Sequence, residues 1–273
     1  PRIQIGLANE KLIKDVQLLL TRLGIASRVK FVSSFHKKQQ KTYSWWILSL
    51  SSTTDLLKFL DVVGNLPGKE DACIRLRELI EDKTPNTNVD IIPVSWAEMG
   101  ALVTAAGIKR PSGSKWWRWN SHWANRQCSY ASIVEFCAEY AGHSFVEELR
   151  AKWIDPNVLF DRVKLVKPIE EPLEVGDLGV PDGNTFMCAG VQVHNSIGYG
   201  KCVHGSTEVY DVGSGRRRRA DETGNFRVAT ATEDGQVLAS DASAFASGEK
   251  ECLRLTLAGG SEITLSLDHP VLT

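Results

Sequence analysis

A histidine, an asparagine and a hydroxyl residue follow one another at His194, Asn195 and Ser196. The side-chain nitrogen of an asparagine can attack the main-chain carbonyl carbon of the same residue, which forms a succinimide and releases the next residue. A neighbouring imidazole assists, because a proton must leave the attacking nitrogen and another must reach the leaving amine. The spacing therefore predicts cleavage of the backbone between Asn195 and Ser196.

A matching nucleophile, Cys202, opens the run CVHGSTEV a few residues later. A thiol can attack the preceding carbonyl carbon and convert that peptide bond into a thioester, which reacts more readily with a second nucleophile. Taken singly, Cys202 also fits a small buried hydrophobic residue, and Asn195 with Ser196 fits a plain turn. Because the two reactions complement each other, the residues together predict self-cleavage chemistry.

These residues lie in motifs that resemble those of inteins, the self-splicing protein elements. The run Cys202–Val209 is similar to the N-terminal splicing motif, whose first residue is the nucleophile of the acyl shift. The run Ser266–Pro270 (SLDHP) resembles the Thr-x-x-His motif of the family, with Ser266 where threonine is usual. The resemblance implies that Ser266 and His269 polarise the scissile peptide bond.

Two further motifs extend the resemblance upstream. The run Leu173–Phe186 looks like the penultimate intein motif, with Asp177 at its acidic position and Asn184 where that motif often has histidine. The run Val191–Ser196 resembles the C-terminal motif in full. The catalytic residues that the resemblance implies are Cys202, His269, Ser266, Asp177, His194, Asn195 and Ser196.

Short β-branched runs follow one another from residue 163 onward, with turn signals about every 8–12 residues, which is typical of a compact all-β unit. The run Arg216–Arg219 lies in a Gly/Ser turn and is interpreted as a solvated loop tip. For this part of the chain the intein resemblance implies an all-β, horseshoe-like Hint-type splicing domain.

The first half of the chain instead mixes helical and strand patterns. The predicted elements are a helix at about 9–23, a hairpin from Ser27–Ser34 and Tyr43–Leu50, helices at Thr54–Val63 and Asp71–Ile80, and two or three helices between Trp96 and Trp153.

Residues 1–165 resemble the LAGLIDADG homing endonucleases that are often inserted within inteins. The resemblance rests on Ile5–Ile25, the hairpin that ends at Leu50, and Leu56–Gly64, which look like the region that comes after the second motif helix in that family. The acid-bearing motif helices are not found in the sequence, and phosphodiester cleavage needs carboxylates that hold Mg²⁺. The resemblance therefore implies an α/β endonuclease remnant without cleavage activity, to which Mg²⁺ would bind only if a missing segment completed the site.

The charge is divided unevenly along the chain, with a net +6 over residues 1–165 and −7 over residues 166–273. Contacts with phosphates need only positive charge on an accessible element, so the basic part is expected to meet double-stranded DNA. Packing in a core also accounts for most of the tryptophans around residues 116–123. The expected DNA-binding residues are Lys37, Lys38 and Lys41 in the hairpin loop, and Arg118 and Arg126 in the tryptophan-rich stretch.

The motifs stand in the reverse of the usual intein order, because His194 and Asn195 precede Cys202. The chain is therefore either one circularly permuted intein or the end of one intein followed by the start of another, in which case each half needs a complementary fragment in trans. Joining Thr273 to Pro1 gives HPVLTPR, which looks like a natural continuation and favours permutation. The hexapeptide SIGYGK at 196–201 resembles part of a phosphate-binding loop, which indicates a terminase or helicase as the host protein.

The composition argues against metal-binding, redox and membrane proteins. The six cysteines form no CxxC pair, which argues against a zinc ribbon and a redox site and favours reduced thiols in the cytoplasm. No apolar run approaches the ~18 residues of a membrane span, so no membrane partner is expected. Splicing needs no cofactor, and no metal site is expected.

We therefore expect an α+β protein in four segments. They are a LAGLIDADG-type remnant (1–165), a C-terminal splicing segment (166–195), a short extein linker (196–201) and an N-terminal splicing segment (202–273). The alternative is a DNA-binding module, similar to homing endonucleases, whose Hint-like part is inert.

Overall fold

The computed structural model describes residues 1–83, 90–109, 124–155, 158–182, 184–194, 201–231 and 237–269. The chain divides into two compact units. The helical unit comprises residues 1–3, 24–26 and 50–160, and the sheet unit comprises residues 4–23, 27–49 and 161–273. The sheet unit thus includes two stretches that lie far upstream of the predicted splicing segments.

The described residues form helices and strands in roughly the order that the sequence predicts. The first half contains β1 (Ile3–Leu7), α1 (Glu10–Arg22), β2 (Arg28–His36), β3 (Lys41–Leu50), α2 (Thr53–Val62), α3 (Glu70–Ile80), β4 (Ile91–Ser95), α4 (Trp96–Ala105), β5 (Gln127–Ser129), α5 (Tyr130–Glu139) and α6 (Ser144–Trp153). The second half contains β6 (Val163–Pro168), β7 (Leu173–Gly179), β8 (Thr185–Cys188), β9 (Val191–His194), β10 (Val203–His204), β11 (Glu208–Asp211), β12 (Arg216–Arg219), β13 (Gly224–Ala231), β14 (Val237–Lys250), β15 (Cys252–Leu257) and β16 (Glu262–Ser266).

In the helical unit, serines start three of the helices. Ser52, Ser95 and Ser129 accept a hydrogen bond from a backbone N–H in the first turn of α2, α4 and α5, and Glu98 completes a capping box with Ser95. Apolar residues of α4, α5 and α6 then pack against the short β4–β5 ladder around Phe136. Two or three helices were predicted between Trp96 and Trp153, and the described residues form three there, whereas β4 and β5 were not predicted.

In the sheet unit, α1 and the hairpin of β2 and β3 match the prediction closely. Asn9 caps α1 by accepting a hydrogen bond from the N–H of Leu12. Strands β2 and β3 pair without interruption from Arg28 opposite Ser49 to His36 opposite Lys41. With β1 they form a three-stranded sheet in the order β1-β3-β2.

The described strands after residue 163 form one eleven-stranded sheet, in the order β6-β15-β16-β10-β7-β14-β13-β11-β8-β9 with β12 beside β11. Strands from before residues 195–200 lie between and beside strands from after them. Thus β7 lies between β10 and β14, and β8 lies beside β11. The two predicted splicing segments therefore share one sheet.

The apolar core of this sheet also draws on both segments. Phe186 and Val193 come from before residues 195–200 and pack in one cluster with Val203, Val209 and Leu265 from after them. Burial of a valine, leucine or phenylalanine side chain contributes about 1.5–3 kcal/mol. The two segments therefore stabilise each other through a common core.

Arg216–Arg219 was expected to be a solvated loop tip, and the structure corrects this interpretation. These residues form β12, which pairs with β11 from Glu208 opposite Arg219 to Asp211 opposite Arg216. Carboxylates hold the guanidinium groups: Arg218 pairs with Asp211 and Glu222, and Arg219 pairs with Asp221. One carboxylate on the neighbouring strand and two in the segment that follows β12 thus stabilise a strand of four like charges.

None of the helices in the described part of the chain has the length and apolar character that crossing a membrane requires.

Candidate active site around Cys202

The backbone of Cys202 is held by Ser266. The N–H of Cys202 donates to the hydroxyl oxygen of Ser266, with 2.9 Å between nitrogen and Oγ. In return the N–H of Ser266 donates to the carbonyl oxygen of Cys202, also at 2.9 Å. Val203 and Leu265 continue the pairing of β10 with β16. The predicted scissile peptide bond, which joins Lys201 to Cys202, is therefore fixed at its nitrogen by a buried hydroxyl group.

His269 lies next to this peptide bond. It follows β16 in a turn in which its own N–H donates to the carbonyl of Ser266 at 3.0 Å, and its side chain is buried. Burial is the main cause that lowers the pKa of His269, while backbone groups of Cys202 and Lys201 near the ring oppose the shift. The ring is therefore held largely neutral, and neutral imidazole is the form that accepts a proton.

The thiol of Cys202 faces a small apolar cluster with Val175 and Cys252. Cys252 lies opposite Ser266 in the β15–β16 ladder. Burial raises the pKa of Cys252, and the nearby Cys202 adds to that rise. Sequence analysis did not identify Cys252 as part of this site, since its place depends on the register of two strands that the sequence does not show.

Asp177 lies on the neighbouring strand β7. Val203 of β10 pairs with Gly176, so Asp177 is at the register position beside Cys202. The carboxylate is buried and accepts a hydrogen bond from the N–H of Leu178 at 2.8 Å. Asp177 on β7, Cys202 just before β10 and Ser266 at the end of β16 therefore lie in neighbouring chain segments, with His269 in the turn after β16.

His194 ends β9, opposite Thr185 of β8, and its side chain is exposed. Burial is the main cause of the lowered pKa of His269, and an electrostatic effect of His194 adds slightly to it. The two residues expected to react after it, Asn195 and Ser196, lie outside the described residues. The strand that carries the predicted Asn195–Ser196 junction thus lies at the edge of the same sheet, beside β8.

Asn184 occupies the position where the penultimate intein motif often has histidine. Its backbone has a φ of 50°, a left-handed conformation that asparagine tolerates better than most residues. Its Oδ1 is buried without a hydrogen-bond partner among the described residues. A side-chain amide cannot shuttle protons as an imidazole does, so this position offers no second histidine for the site.

The predicted DNA-binding residues lie elsewhere. Lys37 and Lys38 are exposed in the turn between β2 and β3, and Lys41 begins β3 with its ammonium group 5.4 Å from the ring centre of Tyr43. Arg126 is exposed just before β5, in the helical unit, and Arg118 lies outside the described residues. The three lysines form an accessible basic hairpin tip, as DNA backbone contacts require.

Among the described residues, no three histidine, cysteine, aspartate or glutamate side chains lie close enough together to bind one metal ion.

Comparisons with known proteins identify one domain and two relatives. Residues 1–64 match the family model of the LAGLIDADG-like domain. The replicative DNA helicase DnaB of Rhodothermus marinus is 28% identical over 207 residues, which is 72% of this chain and 20% of the relative. DnaB of Synechocystis sp. (strain ATCC 27184 / PCC 6803 / Kazusa) is 25% identical over 198 residues, 70% of this chain and 21% of the relative.

The chain spans about a fifth of the length of these curated relatives. Both similarities are much longer than the 64 residues of the LAGLIDADG-like domain. The relatives therefore share with this chain more than that domain.

Proposed function

We propose that this chain is an intein-derived element that splices itself through Cys202 and Asn195, in permuted order. The observation that supports the proposal is the shared sheet, in which strands from both predicted splicing segments pair with one another and the hydroxyl group of Ser266 accepts a hydrogen bond from the N–H of Cys202. A chain built from halves of two separate inteins needs no such common core.

The first step is an acyl shift at Cys202. The thiol sulfur attacks the carbonyl carbon of Lys201, the bond from that carbon to the nitrogen of Cys202 breaks, and a thioester forms. The neutral ring of His269 takes the thiol proton and passes it to the leaving nitrogen, so no proton is gained or lost. Ser266 holds that nitrogen in place through its hydroxyl oxygen.

The remaining steps join the ends of the hexapeptide 196–201. The hydroxyl oxygen of Ser196 attacks the thioester, forms an ester and releases the thiol of Cys202. The side-chain nitrogen of Asn195 then attacks its own carbonyl carbon, which frees the amine of Ser196, with His194 as the proton carrier. The freed amine displaces the ester oxygen, and the product is a cyclic hexapeptide.

The comparisons support an origin within a replicative helicase. Both relatives are named replicative DNA helicase DnaB, and the LAGLIDADG-like domain is of the kind expected inside inteins. The hexapeptide also resembles part of the phosphate-binding loop of such enzymes. We infer that residues 196–201 derive from that loop.

Mass spectrometry of the freshly purified full chain tests the splicing proposal. The expected products are residues 1–195, residues 202–273 and a hexapeptide lighter than its linear form by one water. Cys202→Ala is expected to abolish the ring but not cleavage after Asn195, and Asn195→Ala is expected to leave a thioester that dithiothreitol cleaves. An intact chain, or cleavage by thiol that persists in Cys202→Ala, would contradict the mechanism.

A second candidate function is DNA binding without splicing. The LAGLIDADG-like domain and the basic tip of Lys37, Lys38 and Lys41 favour it. We expect weak binding of duplex DNA that falls steeply with salt, and no cleavage by this chain when Mg²⁺ is added. Binding curves at two salt concentrations, with Lys37→Glu/Lys38→Glu as the variant, test the first expectation, and Mg²⁺-dependent nicking by highly purified protein would overturn the second.

A further inference from the structure

Helix α1 belongs to the matched LAGLIDADG-like domain, yet it lies in the sheet unit. Its first turns carry an ion-pair network with β11 and β12. Lys11 Nζ lies 2.6 Å from Glu208 Oε1, Asp15 pairs with Arg217, and Arg217 also donates to Glu208 Oε2 at 2.5 Å. Lys11 and Asp15 of the helix thus each form an ion pair with one member of the Glu208–Arg217 pair, which joins β11 to β12.

The charges in this network are mutually stabilised. Partial burial alone would raise the pKa of Glu208, but hydrogen bonds from Lys11 and Arg217 lower it overall. The hydrogen bond to Glu208 is the main cause that raises the pKa of Arg217, and the one to Asp15 adds to it. The network therefore persists across the neutral pH range.

The later turns of α1 reach the turn between β8 and β9 and the turn between β15 and β16. Leu18 Cδ1 lies 3.4 Å from the point where a Cβ would sit on Gly190, which has a φ of 79°. The buried side chain of Gln17 donates to the carbonyl of Gly259 at 2.8 Å. Gly190 is thus the point at which the helix touches the hairpin that ends in His194.

Strand β11 connects the ion pairs to the same hairpin. The N–H of Ala189, in the β8–β9 turn, donates to the carbonyl of Glu208 at 3.4 Å, and Val209 pairs with Cys188. Strand β8 in turn pairs with β9 as far as Thr185 opposite His194. Glu208 is thus connected to His194 through the pairing of β11 with β8 and of β8 with β9, and Gly190 lies in the turn that leads into β9.

We propose that α1 is a positioning element of the splicing site: a clamp of Lys11, Asp15 and Leu18 that holds the β8–β9 hairpin so that His194 and Asn195 meet the Cys202 junction. This role rests on the proposed splicing function. It differs from the expected division of the chain, in which residues 1–165 form a separate endonuclease remnant. The ion pairs link the helix to strands from after residue 201, and Leu18 links it to the hairpin from before residue 195.

The test compares two neighbouring residues of α1. Leu18→Asp places a charge against the β8–β9 turn, while Leu19→Asp changes an exposed side chain and serves as the matched control. Asp15→Arg replaces attraction to Arg217 by repulsion, and Asp15→Glu keeps the pair. Each variant is made in the full chain with Cys202→Ala, to follow cleavage after Asn195, and with Asn195→Ala, to follow thiol cleavage at Cys202.

We expect Leu18→Asp and Asp15→Arg to slow cleavage after Asn195 by about fivefold or more, the range of a lost ion pair or apolar contact. Thiol cleavage at Cys202 is expected to stay within about twofold, because the nitrogen of Cys202 is held by the hydroxyl group of Ser266 at the end of β16 and not through the β8–β9 hairpin. Leu19→Asp and Asp15→Glu are expected to match the unaltered chain. Equal slowing at both junctions, or no slowing at either, overturns the clamp.

Hydrogen exchange separates failure of the clamp from failure of splicing. In the chain with both Cys202→Ala and Asn195→Ala, Leu18→Asp is expected to speed exchange of amides at 185–194, and Leu19→Asp is not. If the unaltered chain never cleaves, the proposed function fails whatever the exchange shows. If it cleaves and the exchange rates of 185–194 do not change, only the clamp is wrong.

Discussion

At the scale of single residues, the hydroxyl group of Ser266 determines how the nitrogen of Cys202 is held. Ser266→Ala leaves the buried N–H of Cys202 without its acceptor, at a cost of about 1–3 kcal/mol, so the acyl shift should slow by about 5- to 150-fold. Ser266→Thr keeps a hydroxyl group and should retain most of the rate. The measurement is thiol cleavage at Cys202, with Ser243→Ala on the exposed face of β14 as the control, and an unchanged rate in Ser266→Ala would exclude this role.

The buried ring of His269 makes stability depend on pH in the mildly acidic range. Its folded pKa lies below the ordinary value of 6.5, so the unfolded chain binds a proton first as the pH falls. Stability from this group is therefore complete above about pH 6.5 and is lost as the pH falls from there towards the lowered folded pKa. Denaturant midpoints at pH 7.5 and 5.5 should differ more for the Cys202→Ala/Asn195→Ala chain than for the same chain with His269→Gln, and equal differences would contradict this expectation.

At the scale of elements, the sequence predicted those helices and hairpins that are stabilised by contacts between residues close together in the chain. Apolar residues at helical spacing predicted α1 to within one residue of its ends, and the predicted hairpin strands overlap β2 and β3. The strand β12 was missed because the carboxylates of Glu208 and Asp211 reach its arginines only once β11 and β12 pair. The docking of α1 on β11 and β12 depends on contacts between residues about 200 positions apart, which a single sequence does not reveal.

Within β7, Gly176 illustrates how closely elements approach near the site. A Cβ at this position would lie 2.2 Å from the carbonyl oxygen of Ala220, whereas one at Gly179 of the same strand would lie 3.8 Å from its nearest neighbour. Gly176→Ala must shift backbone beside Asp177 and should lower the free energy of unfolding by about 1–3 kcal/mol. Gly179→Ala is the matched control and should have a much smaller effect. Equal denaturant midpoints for the two variants would contradict this prediction, because they would show that the backbone around Gly176 moves aside at no cost.

At the scale of the whole molecule, the order of motifs along the chain and their arrangement in space differ. His194 precedes Cys202 in sequence, yet β7, β8 and β9 are interleaved with β10, β11 and β14 in one sheet. The segment 1–64 matches the LAGLIDADG-like domain, while part of it packs with that sheet. Because both predicted splicing segments belong to one sheet and one apolar core, the chain needs no partner fragment to complete that core. We therefore favour a permuted intein over the joined halves of two inteins.

Truncation distinguishes these two forms. A chain ending at residue 201 lacks β10 to β16, so β7 loses both of its neighbouring strands, the β8–β9 hairpin loses β11, and Phe186 and Val193 lose the core that they share. If the intein is permuted, cleavage after Asn195 should fall to the background rate of an unfolded asparagine, and a peptide of residues 202–273 added in trans should restore it. If the chain joins halves of two inteins, removal of 202–273 should leave that cleavage unchanged. Mass spectrometry of the Asn195–Ser196 junction over time, in the truncated chain and in full-length Cys202→Ala, decides between them.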